Sequence, residues 1–364
     1  MFGIIRKNII LFIAFVIYSL SLEQNLYSMY TYYFISALAF FLLVVFLIME
    51  KKWFSIKHYY WFFVIGLSLS CIFFSTIHMD IISLIKGILI FIVFYIAYCF
   101  YRIKVNILAQ FILATFFIGI ISYIIQVNGT FIFWETRFLR NGSIYFDPNY
   151  ASSIFATSAI LSLILINNNI YRWCVSIFFA IALFFTYSKG GILSFLIGMA
   201  CFFYVKYGYK SIVYIVVFSL ALMFLYNSSI LNLDLFRFNQ GFNSRDDFFY
   251  ITMSYVFEDG NLFGNEMYNI KNLLNSRGFD NSSTHNYYLD LLLSNGIFPF
   301  FFMLTLIFIS IIKGIIYRNK YFPIFMMLLV NSNVLSISVG GIGILSFIFT
   351  YSIVEILNSR EIDL

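Results

Sequence analysis

Residues 285–312, "HNYYLDLLLSNGIFPFFFMLTLIFISII", contain a single carboxylate, Asp290, and open on a single histidine, His285. A bilayer crossing needs roughly 20 consecutive apolar residues, so this stretch predicts a membrane span with His285 at its lip. If one such run were isolated it would mark a buried core helix or a signal. Here comparable runs recur from one end of the chain to the other, and their number settles the fold class.

The 364 residues are 62% hydrophobic and only 10% charged, whereas a soluble domain carries roughly 45–50% apolar and about 25% charged residues. That surface cannot face water, so the chain is expected to be integral to a membrane. The runs are too long and too continuous for a β-barrel, whose strands alternate over about ten residues. The expected fold is therefore all-α, a polytopic helical bundle of about twelve spans forming one transmembrane domain. They lie near 8–22, 31–49, 59–76, 81–100, 105–126, 148–166, 171–187, 190–205, 211–227, 285–312, 321–335 and 341–357, with 190–205 and 321–335 short enough to be half-spans. The start, "MFGIIRKNIILFIAFVIYSL", has a basic head but no A-x-A-like cleavage site, and reads as a retained first helix. The four cysteines, Cys71, Cys99, Cys174 and Cys201, all fall inside apolar runs without a CxxC pair, which suits small buried hydrophobes.

Lys and Arg gather on the side that carries Arg6, Lys7, Lys51, Lys52, Lys57, Arg102, Lys104, Arg172, Lys206, Lys210, Lys313, Arg318, Lys320 and Arg360. The alternate side holds Glu23, Asp80, Glu135, Arg137, Arg140 and Lys189. By the positive-inside rule the first set is cytoplasmic, which puts both termini inside. The net charge of +6 is scattered over these short loops, so it speaks for membrane orientation and against a nucleic-acid partner. Two outer connections are long, 127–147 and 228–284. The second, between spans nine and ten, carries seven acidic and four basic residues and is long enough to signal a function of its own.

Four polar motifs share that outer side. In "STHNYYLDLLLSNGIF", Ser283 or Thr284 is the expected cap of the tenth span, with His285 in its first turn. A lone interfacial histidine is explained first by bonds to loop backbone, and only beside that by a role as general base near neutral pH. In "FNSRDDFFYITMSYVFEDG", Ser244 and Asp247 form a capping box and open an amphipathic helix. Arg245 sits in its first turn, where a cation opposes the helix dipole but a guanidinium beside helix N–H groups suits a phosphate. In "FTYSKGGILSFLIG", Lys189, Gly190 and Gly191 open a helix in a way that suits an anion, although a snorkelling lysine is equally ordinary. In "GSIYFDPNYASSIFA", Asp147-Pro148-Asn149 reads mainly as a structural turn into the sixth span, with Asp147 free to position a sugar hydroxyl. Arg277 is a fifth member, and Arg137 and Arg140 suit an anionic lipid headgroup. Asp290 is set about 140° round a helix from His285; it and Lys86 are the charges clearly inside spans. His58 and His78 lie in loops without ligand partners at helical spacing, and no HxxxH or DxD pair suggests a metal or cofactor.

The ordered set Ser188-Lys189-Gly190-Gly191, Ser244-Arg245 in a long outer loop, and His285-Asn286-x-Tyr288-Leu289 through Gly296-Ile297 resembles the bacterial O-antigen polymerase and O-antigen ligase superfamily. Phe146-Asp147-Pro148-Asn149 and the Arg245 to Gly264 spacing add to the resemblance, which covers roughly residues 140–300. It implies a metal-independent, inverting C-type glycosyltransferase of the bacterial inner membrane, with its site facing the periplasm. The donor and acceptor would be undecaprenyl-pyrophosphate-linked glycans, and a chain-length regulator is a compatible partner. Carried over by motif, Arg245 and Lys189 hold the pyrophosphate, with Arg277, Asp147, Asn286 and Tyr288 expected among the binding residues, and His285 acts on the acceptor hydroxyl. Members of the superfamily often carry Arg in the first motif; Lys189 keeps the charge but not the fork geometry. A polymerase is favoured over the ligase because a Phe-, Ile-, Asn- and Tyr-rich chain suggests an AT-rich polysaccharide gene cluster. A transporter or lipid-glycan flippase is the alternative from a different class.

Overall fold

The computed structural model describes residues 2–21, 28–51, 54–56, 58–104, 107–127, 145, 147–211, 245–265, 267–278, 284–333, 335 and 337–359. Every element among them is helical: α1 Phe2–Leu20, α2 Met29–Glu50, α3 Trp61–Ile77, α4 Ile81–Ile103, α5 Ile107–Val127, α6 Pro148–Leu165, α7 Asn169–Phe185, α8 Lys189–Tyr207, α9 Arg245–Met253, α10 Met267–Ser276, α11 Tyr287–Asn295, α12 Ile297–Ile316, α13 Phe322–Asn331 and α14 Ile344–Leu357. Five of the helices, α2, α4, α6, α8 and α12, are long and apolar enough to cross a membrane, and shorter apolar helices accompany them. The chain is thus a helical membrane-embedded protein. The expected span at 211–227 and the capping residue Ser244 lie outside the described residues.

α6 is the central post. Its buried residues cover every side of the helix, and it packs against α5, α7, α8 and α13. Small residues make this close packing possible, as they do generally between membrane helices. A Cβ on Gly191 of α8 would lie 2.2 Å from Ser152 Oγ of α6, so only glycine fits there. Hydroxyls on α6 are mostly absorbed by its own backbone, Thr157 on Ser153 O (2.6 Å) and Ser162 on Ser158 O (2.6 Å).

The packing fixes which ends coincide. Gly191 faces Ser152 and Gly198 faces Ile160, so α6 and α8 run parallel. Gly198 also faces Met327 and Gly208 faces Arg318, so α13 runs antiparallel to α8. At the end where α8 finishes, Lys313 Nζ donates to Leu357 O (2.6 Å), Tyr101 OH donates to Asn358 O (3.1 Å), and the Arg102 guanidinium lies 5.1 Å over the Phe54 ring. This is the basic end. The opposite end carries Asp80, Asp147, Lys189, His285 and Asp290.

Two sequence expectations need correction. The run 285–312 is not one helix: it breaks at Gly296, which adopts φ 83° and ψ −170° between α11 and α12. The break exists because another backbone passes through it. A Cβ on Gly296 would lie 2.5 Å from Leu262 O, and one on Gly264 would lie 2.7 Å from Gly296 N. Ile297 N donates to Leu262 O (2.9 Å) and Asn265 N donates to Leu293 O (2.8 Å), closing the crossing. The described part of the long connection, 245–265 and 267–278, therefore folds back as a cap, with Phe248, Val256 and Leu274 buried against Leu289, Leu292 and Leu293. Second, Cys71 and Cys99 are buried as expected, but Cys174 is exposed on the outer face of α7.

The last spans also depart from regular helices. Between α13 and α14 the described residues of 332–343 are non-helical yet largely buried, with Ile337 and Val339 in the core. Gly340 packs against Ile90, in the middle of α4, and its N–H donates to Thr350 Oγ1 (2.8 Å). Irregular backbone at membrane depth is tolerated only where protein buries it or a polar cavity adjoins it.

Candidate functional site

Two of the polar motifs are joined directly. Asp147 caps α6, its Oδ1 accepting from Asn149 N (2.7 Å), and Pro148 fills the first helical position. Ser188 caps α8 by accepting from Gly191 N (3.3 Å), and its hydroxyl donates to Asn149 Oδ1 (2.9 Å). The helix N-termini of α6 and α8 therefore lie side by side, with half-buried Lys189 at the first position of α8. The N-terminal amides and an ammonium make this a favourable place for an anion.

The second group surrounds His285. The expected caps were wrong, since Asn286 caps α11 by accepting from Tyr288 N (3.0 Å) and Leu289 N (3.3 Å). His285 thus stands before the helix rather than in its first turn, exposed and in a left-handed turn at φ 54°. Asparagine wins the cap because its short side chain reaches two helix N–H groups while the backbone stays extended. The expected separation of Asp290 from the histidine rested on both being helical, and it also fails. Asp290 Oδ1 accepts from Thr284 N (2.8 Å) and Thr284 Oγ1 (2.8 Å), gripping the residue next to His285.

α13 ties the two groups together. Its C-terminus lies at the same end as the start of α8, and Ser332 O there accepts from Tyr287 N (3.0 Å). Tyr288 OH lies 2.5 Å from Ser332 Oγ, and Asn286 Nδ2 donates to Asn333 Oδ1 (3.3 Å). Beneath them Asn331 is 1% exposed with neither amide atom hydrogen-bonded among the described residues. An unsatisfied buried amide costs about 1–3 kcal/mol, and such costs concentrate where polar groups serve a ligand. These residues were missed within the short span expected at 321–335, and the polar triple Asn331-Ser332-Asn333, interrupting an apolar run, is the signal that could have found them.

The remaining expected residues fall around these groups. Arg245 is the first residue of α9, as its motif predicted. Arg277 is exposed just past α10, with its N–H on Leu274 O (3.1 Å), and belongs to the cap. Arg137 and Arg140 lie outside the described residues. An apolar groove of about 480 Å³ opens beside the cap, lined by Leu69, Phe73, Phe74, Phe263, Phe298 and Phe302. The Phe74 ring stacks on Phe263 (5.6 Å) and Phe298 (5.9 Å), and His78 Nε2 meets Phe263 O at 3.2 Å. Comparison of the chain with family models, with curated proteins and with solved structures finds no match to any of them.

Proposed function

We propose that this chain is a polymerase that joins lipid-linked oligosaccharide repeat units into O-antigen or capsular polysaccharide, by inverting glycosyl transfer at the outer face of a bacterial inner membrane. The observation that carries the reading is the gathering of the four motifs at the end of the bundle opposite the basic residues. The positive-inside rule assigns the basic end to the cytoplasm, so the motif end faces outward. Lys189 with the α8 N-terminus, and Arg245 at the start of α9, hold the donor pyrophosphate and stabilise the negative charge that grows as it departs. The acceptor hydroxyl oxygen bonds to the anomeric carbon, the bond from that carbon to the pyrophosphate oxygen breaks, and the hydroxyl proton passes to His285. Asp147, Asn286, Tyr288 and Arg277 supply polar contacts to sugar or phosphate, and the phenylalanine groove suits a polyprenyl tail.

The decisive experiment supplies purified protein with undecaprenyl-pyrophosphate-linked repeat units and no added metal. Elongation that disappears in Arg245→Ala and in His285→Ala supports the proposal, and full activity in both variants rejects the site. Gene deletion separates polymerase from ligase. Lipid A-core bearing a single repeat supports the polymerase, whereas loss of all attached glycan with lipid-linked polymer accumulating supports the ligase.

One observation favours a transporter or flippase: the non-helical, largely buried backbone of the described residues within 332–343, since discontinuous helices at mid-depth build many transport sites. The ionisable residues weigh the other way, because a transport path would string them through the midplane, and here those of the four motifs stand together at one end while the basic set stands at the other. Translocation of a labelled lipid-linked unit in proteoliposomes without elongation would establish the transporter instead.

A further inference from the structure

Asp290 is unusual among the groups at this end in acting on the backbone beside the histidine. Its Oδ1 accepts both the N–H and the hydroxyl of Thr284, each at 2.8 Å. Thr284 is 1% exposed, and its Oγ1 in turn accepts from Asn286 N (3.3 Å). Asn286 is itself held by its cap bonds and by Asn333. His285 therefore lies between two anchored residues, and its left-handed φ of 54° is a conformation that non-glycine residues keep only when their surroundings impose it.

An acidic residue in the first turn of α11 would favour the helix dipole from any rotamer, and that role needs no grip on Thr284.

We propose that Asp290 is a positioning residue for His285, fixing the histidine's turn through its two hydrogen bonds from Thr284. This rests on the glycosyl-transfer reading for what His285 does, but the mechanical part stands on its own. Side chains that must meet a reacting atom are sensitive to displacements of about 1 Å, which can cost on the order of a hundredfold in rate.

The test combines steady-state elongation with amide hydrogen exchange over residues 284–289 in the purified full chain. Asp290→Ala should speed exchange at Thr284 and its neighbours by about tenfold or more and lower kcat on the order of a hundredfold, with KM within about threefold. Asp290→Asn keeps an oxygen that accepts both Thr284 donors, and should stay within about fivefold of the native rate. Thr284→Val removes one donor only and should fall between them. Native exchange and native kcat in Asp290→Ala would overturn the proposal, as would an Asn variant as damaged as the Ala variant. If His285→Ala elongates normally, the reaction assigned to the site falls whatever Asp290 does, and the exchange rates still decide whether Asp290 holds the turn.

Discussion

The crossing of Gly264 and Gly296 gives the sharpest stability prediction, with Gly296→Ala as the perturbation. Gly296 occupies φ 83°, ψ −170°, a region reserved for glycine, and an alanine held there costs about 1–3 kcal/mol. Its Cβ would also lie 2.5 Å from Leu262 O and 2.6 Å from Phe263 C, both backbone atoms with no rotamer to yield. Leu262 O is the acceptor for Ile297 N, so moving it leaves a buried donor unsatisfied at a further cost of about 1–3 kcal/mol. With each term taken near the middle of its range, the loss is about 4 kcal/mol. Gly260 supplies the control, because it has φ 76° but a Cβ there meets nothing within 4 Å. Gly260→Ala should cost only the left-handed strain, about 1–2 kcal/mol. Equilibrium unfolding in detergent micelles, followed through the buried Trp61, measures both. Equal losses at the two positions would refute the argument that the α11–α12 break is set by a crossing backbone.

Three other outcomes follow from the same geometry. Gly191→Ala should destabilise the bundle by at least about 2 kcal/mol through overpacking against Ser152, and Ser152→Gly, which removes the colliding Cβ and Oγ, should recover part of it in the same unfolding assay. A double-mutant cycle of Ser188→Ala and Asn149→Ala should give a coupling of about 0.5–1.5 kcal/mol, and additive losses would mean the α6 and α8 caps are independent. In a variant with Cys71, Cys99, Cys174 and Cys201 replaced, Arg277→Cys should react with a membrane-impermeant maleimide on intact spheroplasts, and Lys104→Cys only after permeabilisation. The reverse pattern would place the His285 end in the cytoplasm and remove the proposed site from the outer face.

What was legible in the sequence differs by physical cause. Helix positions such as 81–100, 148–166 and 171–187 follow from apolar length, a property each segment carries by itself. The same holds for the Asp147 and Ser188 caps, where a short polar side chain precedes an apolar run. The fate of 285–312 was not local. Asn295-Gly296 and Pro299 are local hints of a break, but both are tolerated in membrane helices, and it is the approach of Leu262 and Phe263 that requires glycine at 296. The placing of His285 in a helical turn, with Asp290 on a different face, came from a separate step, the cap being set at Ser283 or Thr284 instead of Asn286.

That correction alters the chemistry as well as the topology. A histidine in the first turn of a membrane helix would point back over the helix N-terminus and share its orphan N–H groups. Held instead before the Asn286 cap, His285 is aimed by the turn and not by the helix. The groups that fix the flanks of that turn come from two helices: Asp290 in α11 accepts from Thr284 N and Oγ1, while Ser332 O and Asn333 Oδ1, after α13, accept from Tyr287 N and Asn286 Nδ2. Each makes sense locally as something else, as a dipole-facing acid or an end-of-helix polar pair, and together they anchor the residues on both sides of His285.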